Sequence, residues 1–224
     1  PPRAKSVLMR PLNIVESKKI IEKYGVKFAD SRLARSVEEA LIVANSIGYP
    51  VVLKVVSNEI SHKTDIGGVA VGISGDTELQ DAFRKIMASV KRKASRAKVH
   101  GMLVQKMVED GASVLIGGKR DAQFGQVIAF GLGGIFVEVM EDVAFRIVPI
   151  SKKDALDMMA ETKGFKILDG YRGKSYDVDA VATLLTKISK MLEKRRDIVE
   201  LDINPVIVLK KGAVAVDARI VLED

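Results

Sequence analysis

The stretch from Val51 to Ile73 constrains the fold more than any other, because two strand-like runs are joined there by a glycine-bearing loop. The first run, VVLKVVS, and the second, GVAVGI, are rich in β-branched residues, which is typical of strands. Walker and Rossmann phosphate loops instead join a strand to a helix. We therefore expect neither of those two folds.

Helical periodicity and capping signals predict five helices among the strand-like runs. The predicted helices lie within residues 13–26, 36–48, 76–98, 151–162 and 177–195. Strand-like runs cover residues 49–57, 68–73, 101–108, 112–120, 125–134, 143–150 and 197–222, with turns expected at Asn204-Pro205 and at Lys211-Gly212. The pattern predicts an α+β chain of two lobes.

Charge and composition limit the class of protein. The 224 residues include 36 Lys and Arg against 29 Asp and Glu, a formal charge of +7, which favours nucleotide phosphates, nucleic acid or an acidic protein face as partners. Cysteine is absent, which excludes a disulfide framework and a thiolate site. The first residues lack the apolar core of a secretory leader, and no apolar run is long enough to cross a bilayer. We expect a cytoplasmic protein, and the high charge without cysteine or tryptophan is typical of a heat-adapted source.

Lys54 lies in the middle of an apolar strand, where an ammonium needs an anionic partner. Either it lies on the solvated face of an edge strand, or it meets a phosphate. In the following loop, Gly67 and Gly68 could bring backbone amides close to an anion, with Lys63 adding charge, but a plain hairpin would contain the same glycines. His62 has polar neighbours on both sides, which makes a hydrogen-bonded position in the core a weaker alternative for it than for most histidines.

Oxygen-bearing side chains cluster near the end of the chain. Strand alternation places Glu200, Asp202 and Asn204 on one face, and a hairpin could bring Asp217 alongside Asn204. Such oxygens suit magnesium, although ordinary turn chemistry would use the same residues. The cationic end of the helix at 76–98 lacks aromatic residues, which favours a solvated face over a nucleic-acid patch.

Seven strings together resemble a known family over nearly the whole chain and in order. They are VVLKVVS, SHKTDIGGVAVGI, VQKMVEDG, GGKRDAQFG, FGLGGIFVEV, FRIVPI and ELDINPVIV with AVDARI. The chain resembles the β subunit of the ADP-forming acyl-CoA synthetases, typified by acetyl-CoA synthetase, and more distantly the succinyl-CoA synthetase β subunit. The resemblance implies an ATP-grasp fold with a smaller lobe at 26–107 and a larger lobe formed by 1–25 and 108–224.

The resemblance also implies a phosphate relay. A CoA-binding α subunit would pass a phosphoryl group from its own histidine to His62, which would carry it on a mobile loop to ADP to form ATP. A heterotetramer with that α subunit is expected, with ADP or ATP as substrate, Mg²⁺ as cofactor, and neither a nucleic-acid nor a membrane partner.

The roles implied by the resemblance fall into three sets. The catalytic residues are His62 and Asp202, the latter orienting the histidine or its adduct. Nucleotide contacts are expected from Lys54, Lys63, Gly67, Gly68, Gln105, Lys106, Met107, Val108, Glu109 and Arg219, with the backbone of 106–108 reading adenine. The metal ligands are Asn204 and Asp217.

One position departs from the family pattern. The family commonly has a ribose-binding glutamate two residues after the glycine that follows the adenine-reading segment, which is Gly111 here. This sequence has Ser113 at that position, so the ribose contact is expected from Glu109 or elsewhere. Ser113 supports an alternative, a non-catalytic ATP-grasp-like module for nucleotide sensing or scaffolding. Such a module could lose His62, Lys54 or Asn204, and all three are present. Direct nucleic-acid binding is a third hypothesis and rests on charge alone.

Overall fold

A computed structural model describes residues 8–133, 142–170, 173 and 175–223 of the chain. The chain divides into two compact units, Phe28–Glu109 and a larger one formed by Pro1–Lys27 with Asp110–Asp224. Each unit contains an antiparallel sheet and helices, which confirms the predicted α+β class. Within the described ranges, no helix is both long and apolar enough to cross a membrane.

The smaller unit contains a four-stranded sheet and two helices. In chain order its elements are β2 (Ser31–Ala34), α2 (Val37–Ile47), β3 (Val51–Val56), β4 (Val69–Ile73), α3 (Asp76–Lys93) and β5 (Gly101–Lys106). The strand order is β2-β5-β3-β4, so β3 is central and β4 is an edge. The loop that follows β3 therefore joins two antiparallel strands, as the sequence predicted.

Local signals explain where these helices begin and end. The Ser36 side chain accepts a hydrogen bond from the Glu39 amide at the start of α2, and Gly48 ends that helix with φ of 83°. Both helices pack on one face of the sheet, where Val51, Leu53 and Val55 alternate into an apolar core. The opposite face carries Val52, Lys54 and Val56.

The larger unit contains a seven-stranded sheet and four helices among the residues described. Its strands are β1 (Met9–Leu12), β6 (Ala112–Asp121), β7 (Gly125–Leu132), β8 (Val143–Ile147), β9 (Ile198–Val208), β10 (Ala213–Ala215) and β11 (Arg219–Glu223). Its helices are α1 (Ile14–Glu22), α4 (Lys152–Ala160), α5 (Phe165–Leu168) and α6 (Val178–Lys194). The strand order is β1-β11-β9-β6-β7-β8, and β10 also pairs with β9. Part of the FGLGGIFVEV string, residues 134–139, lies outside the described residues.

The prediction of a turn at Asn204-Pro205 is wrong. Strand β9 runs through both residues without reversing, and the chain reverses only after Val208. Val114 pairs with Val206 and Ile116 with Ile203, so β9 holds one residue more than β6 at this point. That extra residue is a β-bulge, a place where a sheet tolerates proline. The bulge lies at Asn204, on the strand face that also carries Glu200 and Asp202.

Candidate functional site

Lys54 is buried on the central strand of the smaller unit. Its residue is only 6% exposed, and it pairs with Leu103 on β5 and with Val69 on β4. The interpretation of Lys54 as a solvated residue of an edge strand is therefore wrong. Its side chain lies on the sheet face opposite the apolar core, where a buried ammonium suits an anionic ligand.

Gln105 lies on the same face as Lys54, two residue pairs along the ladder between β3 and β5. It pairs with Val52 and is 2% exposed, while its buried side-chain Nε2 has no hydrogen-bond partner among the described residues. A buried donor without an acceptor is costly, and each such group in a native structure calls for an explanation. A ligand acceptor beside Gln105 would supply one.

The segment expected to read adenine, residues 106–108, follows Gln105 at the end of β5. The Lys106 amide donates to the Asp30 carbonyl at 2.8 Å, and its ammonium donates to the carbonyls of Gly48 and Tyr49 at 2.8 and 2.9 Å. The Met107 amide donates to the Pro50 carbonyl at 3.2 Å. In the part of the chain that is described, the Val108 amide has no acceptor. The Lys106 side chain is thus bound within its own unit.

His62 is exposed in the loop between β3 and β4. Its imidazole forms no hydrogen bond with any residue that the structure describes. Before it, Ile60 is buried in the apolar core of the smaller unit. After it, residues 63–67 form a turn in which Lys63 is half-buried. The exposed imidazole therefore lies between the buried Ile60 and the turn at residues 63–67.

The glycines of this loop close the turn. The Gly67 amide donates to the Thr64 carbonyl at 2.9 Å, and the Gly68 amide donates to the Lys63 carbonyl at 2.7 Å. In this conformation, neither predicted phosphate-binding amide is available to a ligand. A Cβ added to Gly68 would lie 2.6 Å from Val55 Cγ1, so this position has no room for a side chain. These two glycines thus hold the shape of the turn.

The larger unit brings the predicted metal residues to matching positions. Arg219 pairs with Asp202, and Ala215 pairs with Val206, so the same register places Asp217 opposite Asn204. The Val216 amide donates to the Pro205 carbonyl at 3.1 Å, which fixes the chain between β10 and β11 at this point. Asn204 is exposed and Asp217 is half-buried. The hairpin predicted from the sequence therefore places Asp217 alongside Asn204.

The chemistry of this donor set fits magnesium. Within the described residues, no group of three or more His, Cys, Asp or Glu could hold a metal by itself. One carboxylate and one amide oxygen suit Mg²⁺, which keeps several waters and takes further oxygens from phosphates. The arrangement is thus suited to a metal that arrives with its substrate.

The face of β9 that carries Asn204 also carries Glu200 and Asp202. Asp202 is half-buried directly across from Arg219, and the Arg219 guanidinium lies 3.6 Å from the Glu200 carboxylate.

Ser113 lies on neighbouring β6, and its carbonyl accepts the Gly133 amide at 2.8 Å. A Cβ on Gly133 would lie 2.1 Å from Ser113 Oγ, so the hydroxyl closely approaches that glycine.

One contact to the His62 loop could not be predicted from the sequence. Ser89, on α3, donates from its hydroxyl to the Ile66 carbonyl at 2.6 Å. A single serine in an amphipathic helix has no sequence signature, and it lies 23 residues from its acceptor. Only the packing of α3 beside the loop reveals it.

Comparison with known proteins identifies the family to which the chain belongs. Residues 4–222 match the ATP-grasp domain family. The chain is 43% identical over 214 residues to the β subunit of acetate–CoA ligase (ADP-forming) I from Pyrococcus furiosus, covering 95% of this chain and 92% of that subunit. It is 47% identical over 204 residues to acetate–CoA ligase (ADP-forming) I from Archaeoglobus fulgidus, covering 91% of this chain but only 30% of that longer protein. The chain therefore belongs to the family of ADP-forming acetate–CoA ligase β subunits, which carry the ATP-grasp fold.

Solved structures agree with that family. Acetyl-coenzyme A synthetase 1 of Ca. Korarchaeum cryptofilum, in complex with coenzyme A and Ca-AMPCP, matches with a TM-score of 0.93 and 42% identity, covering 96% of this chain and 94% of that one. A second structure of that synthetase holds coenzyme A and Mg-AMPPCP, and its phosphohistidine segment points towards the nucleotide binding site. It matches with a TM-score of 0.82 and 39% identity, covering 96% of this chain and 93% of that one.

Proposed function

We propose that this chain is the nucleotide-binding, phosphoryl-transferring part of an ADP-forming acyl-CoA synthetase. The overall reaction converts acyl-CoA, ADP and phosphate into acid, ATP and CoA. The observation that carries this proposal is the position of His62, exposed in the loop that directly follows the strand holding the buried Lys54. Family membership supports the reaction class.

His62 supplies the nucleophile. A neutral imidazole is a nitrogen nucleophile near physiological pH, and its phosphoryl adduct can pass the group on. In the direction of ATP synthesis, a β-phosphate oxygen of ADP attacks phosphorus, the P–N bond breaks, and its electron pair returns to the imidazole. The family resemblance assigns Asp202 the role of orienting the histidine or its adduct.

Several side chains and one backbone segment are proposed to contact the nucleotide. The Lys54 and Lys63 ammonium groups neutralise phosphate oxygens, and the turn closed by Gly67 and Gly68 presents Lys63 beside His62. The Gln105 amide and the backbone of 106–108 bind adenine. Support comes from the Gln105 Nε2 and the Val108 amide, neither of which has an acceptor among the described residues. Glu109 binds ribose in place of the glutamate that Ser113 replaces, and Arg219 binds on the phosphate side.

Asn204 and Asp217 would hold magnesium. When bound, the ion would neutralise charge on the transferring phosphoryl group, which together with positioning is most of what such catalysis requires. The matching register of these two residues and their oxygen donors support the assignment. The magnesium nucleotide held by a solved relative supports the choice of ion.

The proposed partner is a CoA-binding α subunit with its own phosphohistidine, in a heterotetramer. This chain spans 92% of a curated β subunit but 30% of a related longer ligase, so a second polypeptide or a further segment supplies the remaining functions. A cytoplasmic location follows from ADP and CoA as substrates.

Measuring ATP formation with the α subunit tests this function. The assay contains this chain, its CoA-binding partner, acetyl-CoA, ADP, phosphate and Mg²⁺. The chain has 2 histidines, so His100→Asn is a matched control for His62→Asn. We expect the His62 variant to lose ATP formation and the His100 variant to keep it. ATP formed by the His62 variant at the wild-type rate would overturn the proposed role of this residue.

A further inference from the structure

The turn that follows His62 is docked on α3 by two hydrogen bonds. The Ser89 hydroxyl donates to the Ile66 carbonyl at 2.6 Å, and the Lys93 ammonium donates to the Asp65 carbonyl at 3.0 Å. Both acceptors are backbone carbonyls of the turn, so the contacts hold the path of the chain itself.

Gly67 allows the close approach of this turn to α3. Its φ of +67° is a left-handed conformation that favours glycine. A Cβ at this position would lie 3.1 Å from Ser89 Oγ. A side chain there would thus both strain the backbone and press on the hydroxyl that docks the turn. The turn and the helix therefore fit each other at Gly67 and Ser89.

The other side of His62 is also anchored in the smaller unit. The Glu59 carboxylate accepts the Lys98 amide at 2.8 Å, and Ile60 is 8% exposed in the apolar core. Between the two anchors lie only residues 61–64. Because this span is short, a large displacement of His62 requires the turn to leave α3.

We propose that Ser89 and Lys93 are positioning residues that form a latch for the His62 segment. This inference rests on the proposed function, in which His62 serves a partner-facing site and a nucleotide-facing site. The latch stabilises one docked position of the segment, and its release allows the segment to reach the other. A hydrogen bond of ordinary net strength changes such an equilibrium by about fivefold.

Amide hydrogen exchange tests the latch without nucleotide or partner. Ser89→Ala removes the shorter hydrogen bond, and Ser95→Ala is a matched control at an exposed serine just beyond the end of α3. We expect the amides of Gly67 and Gly68 to exchange about fivefold faster in Ser89→Ala, since each reports closure of the turn. Exchange as slow as in Ser95→Ala would overturn the latch.

Two half-reactions then separate a latch from a general structural role. One is labelling of the chain by [γ-³²P]ATP, and the other is discharge of the labelled chain to the CoA-binding partner. A latch predicts that Ser89→Ala changes the ratio of the two rates by about fivefold, because release favours one position over the other. Equal changes in both rates would overturn it. Absence of label on the wild-type chain would instead refute the proposed function, while the exchange measurement would still decide the docking contact.

Discussion

Replacing Gln105 by Met should stabilise the ligand-free chain and weaken its binding of ADP. Within the part of the chain that the structure describes, the buried Gln105 Nε2 has no acceptor, and a buried polar group left unsatisfied costs about 1–3 kcal/mol. Met has a similar length and no polar group, so the free energy of unfolding should rise by up to about that amount. The hydrogen bond that we assign to adenine should be lost, which at about 0.5–1.5 kcal/mol raises the Kd for ADP about 2- to 13-fold.

Urea denaturation and calorimetric titration with Mg-ADP measure the two effects. Gln80→Met is a suitable control, because this half-buried glutamine on α3 makes no side-chain hydrogen bond within the described residues. The control should change stability by no more than about 0.5 kcal/mol and leave ADP binding unchanged. A Gln105→Met variant that is less stable than the wild type and binds ADP with unchanged affinity would refute the reasoning.

Three other variants test the remaining parts of the site and of its scaffold. Lys54→Met should raise the Kd for Mg-ADP, measured by calorimetric titration, about 10- to 150-fold, since a charged hydrogen bond contributes about 1.5–3 kcal/mol. A Kd equal to that of the wild type would contradict a contact between Lys54 and phosphate. Asp217→Ala should raise the Mg²⁺ concentration needed for half-maximal ATP formation, with Asp179→Ala, exposed on α6, as control. Asp177→Ala should cost about 1–2 kcal/mol in urea melts, because this carboxylate caps α6 and accepts the Gly212 amide at 2.7 Å.

The pH dependence of the Asp177 effect follows from its hydrogen bonds. Bonds from the Gly212 and Ala180 amides lower the pKa of Asp177 in the folded chain. A lowered pKa stabilises the fold above the unfolded-state pKa of about 3.9, and the contribution declines as pH falls through the lower folded value. The difference in stability between wild type and Asp177→Ala should therefore be constant near neutral pH and shrink below about pH 4. A difference that grows on acidification would contradict this sign.

Much of the fold could be predicted from local patterns in the sequence. Capping at Ser36, the β-branched run around Lys54 and the alternation at Asp202 and Asn204 each specify an element or a face over a few residues. The family resemblance supplied roles that no local pattern carries. The confirmed family supports those roles, and the individual site residues stay predictions.

Features that depend on long-range pairing could not be predicted. Asn204-Pro205 has the composition of a turn, yet β9 continues through it because pairing with β6 accommodates the extra residue as a bulge. Whether Lys54 lay on an edge or a central strand depended on β5, which lies far along the chain. The contact from Ser89 to Ile66 likewise arises only from packing, as does the burial of Gln105 Nε2 without a partner among the residues described.

The most direct test of the account is phosphohistidine formation on this chain alone. The chain is incubated with Mg²⁺ and [γ-³²P]ATP, and the label is tested for loss in acid and survival in alkali. The account predicts such a label on the wild type and on His100→Asn, its absence from His62→Asn, and its discharge to ATP by added ADP. Label that persists in His62→Asn, or that ADP does not discharge, would contradict the claim that His62 carries the phosphoryl group.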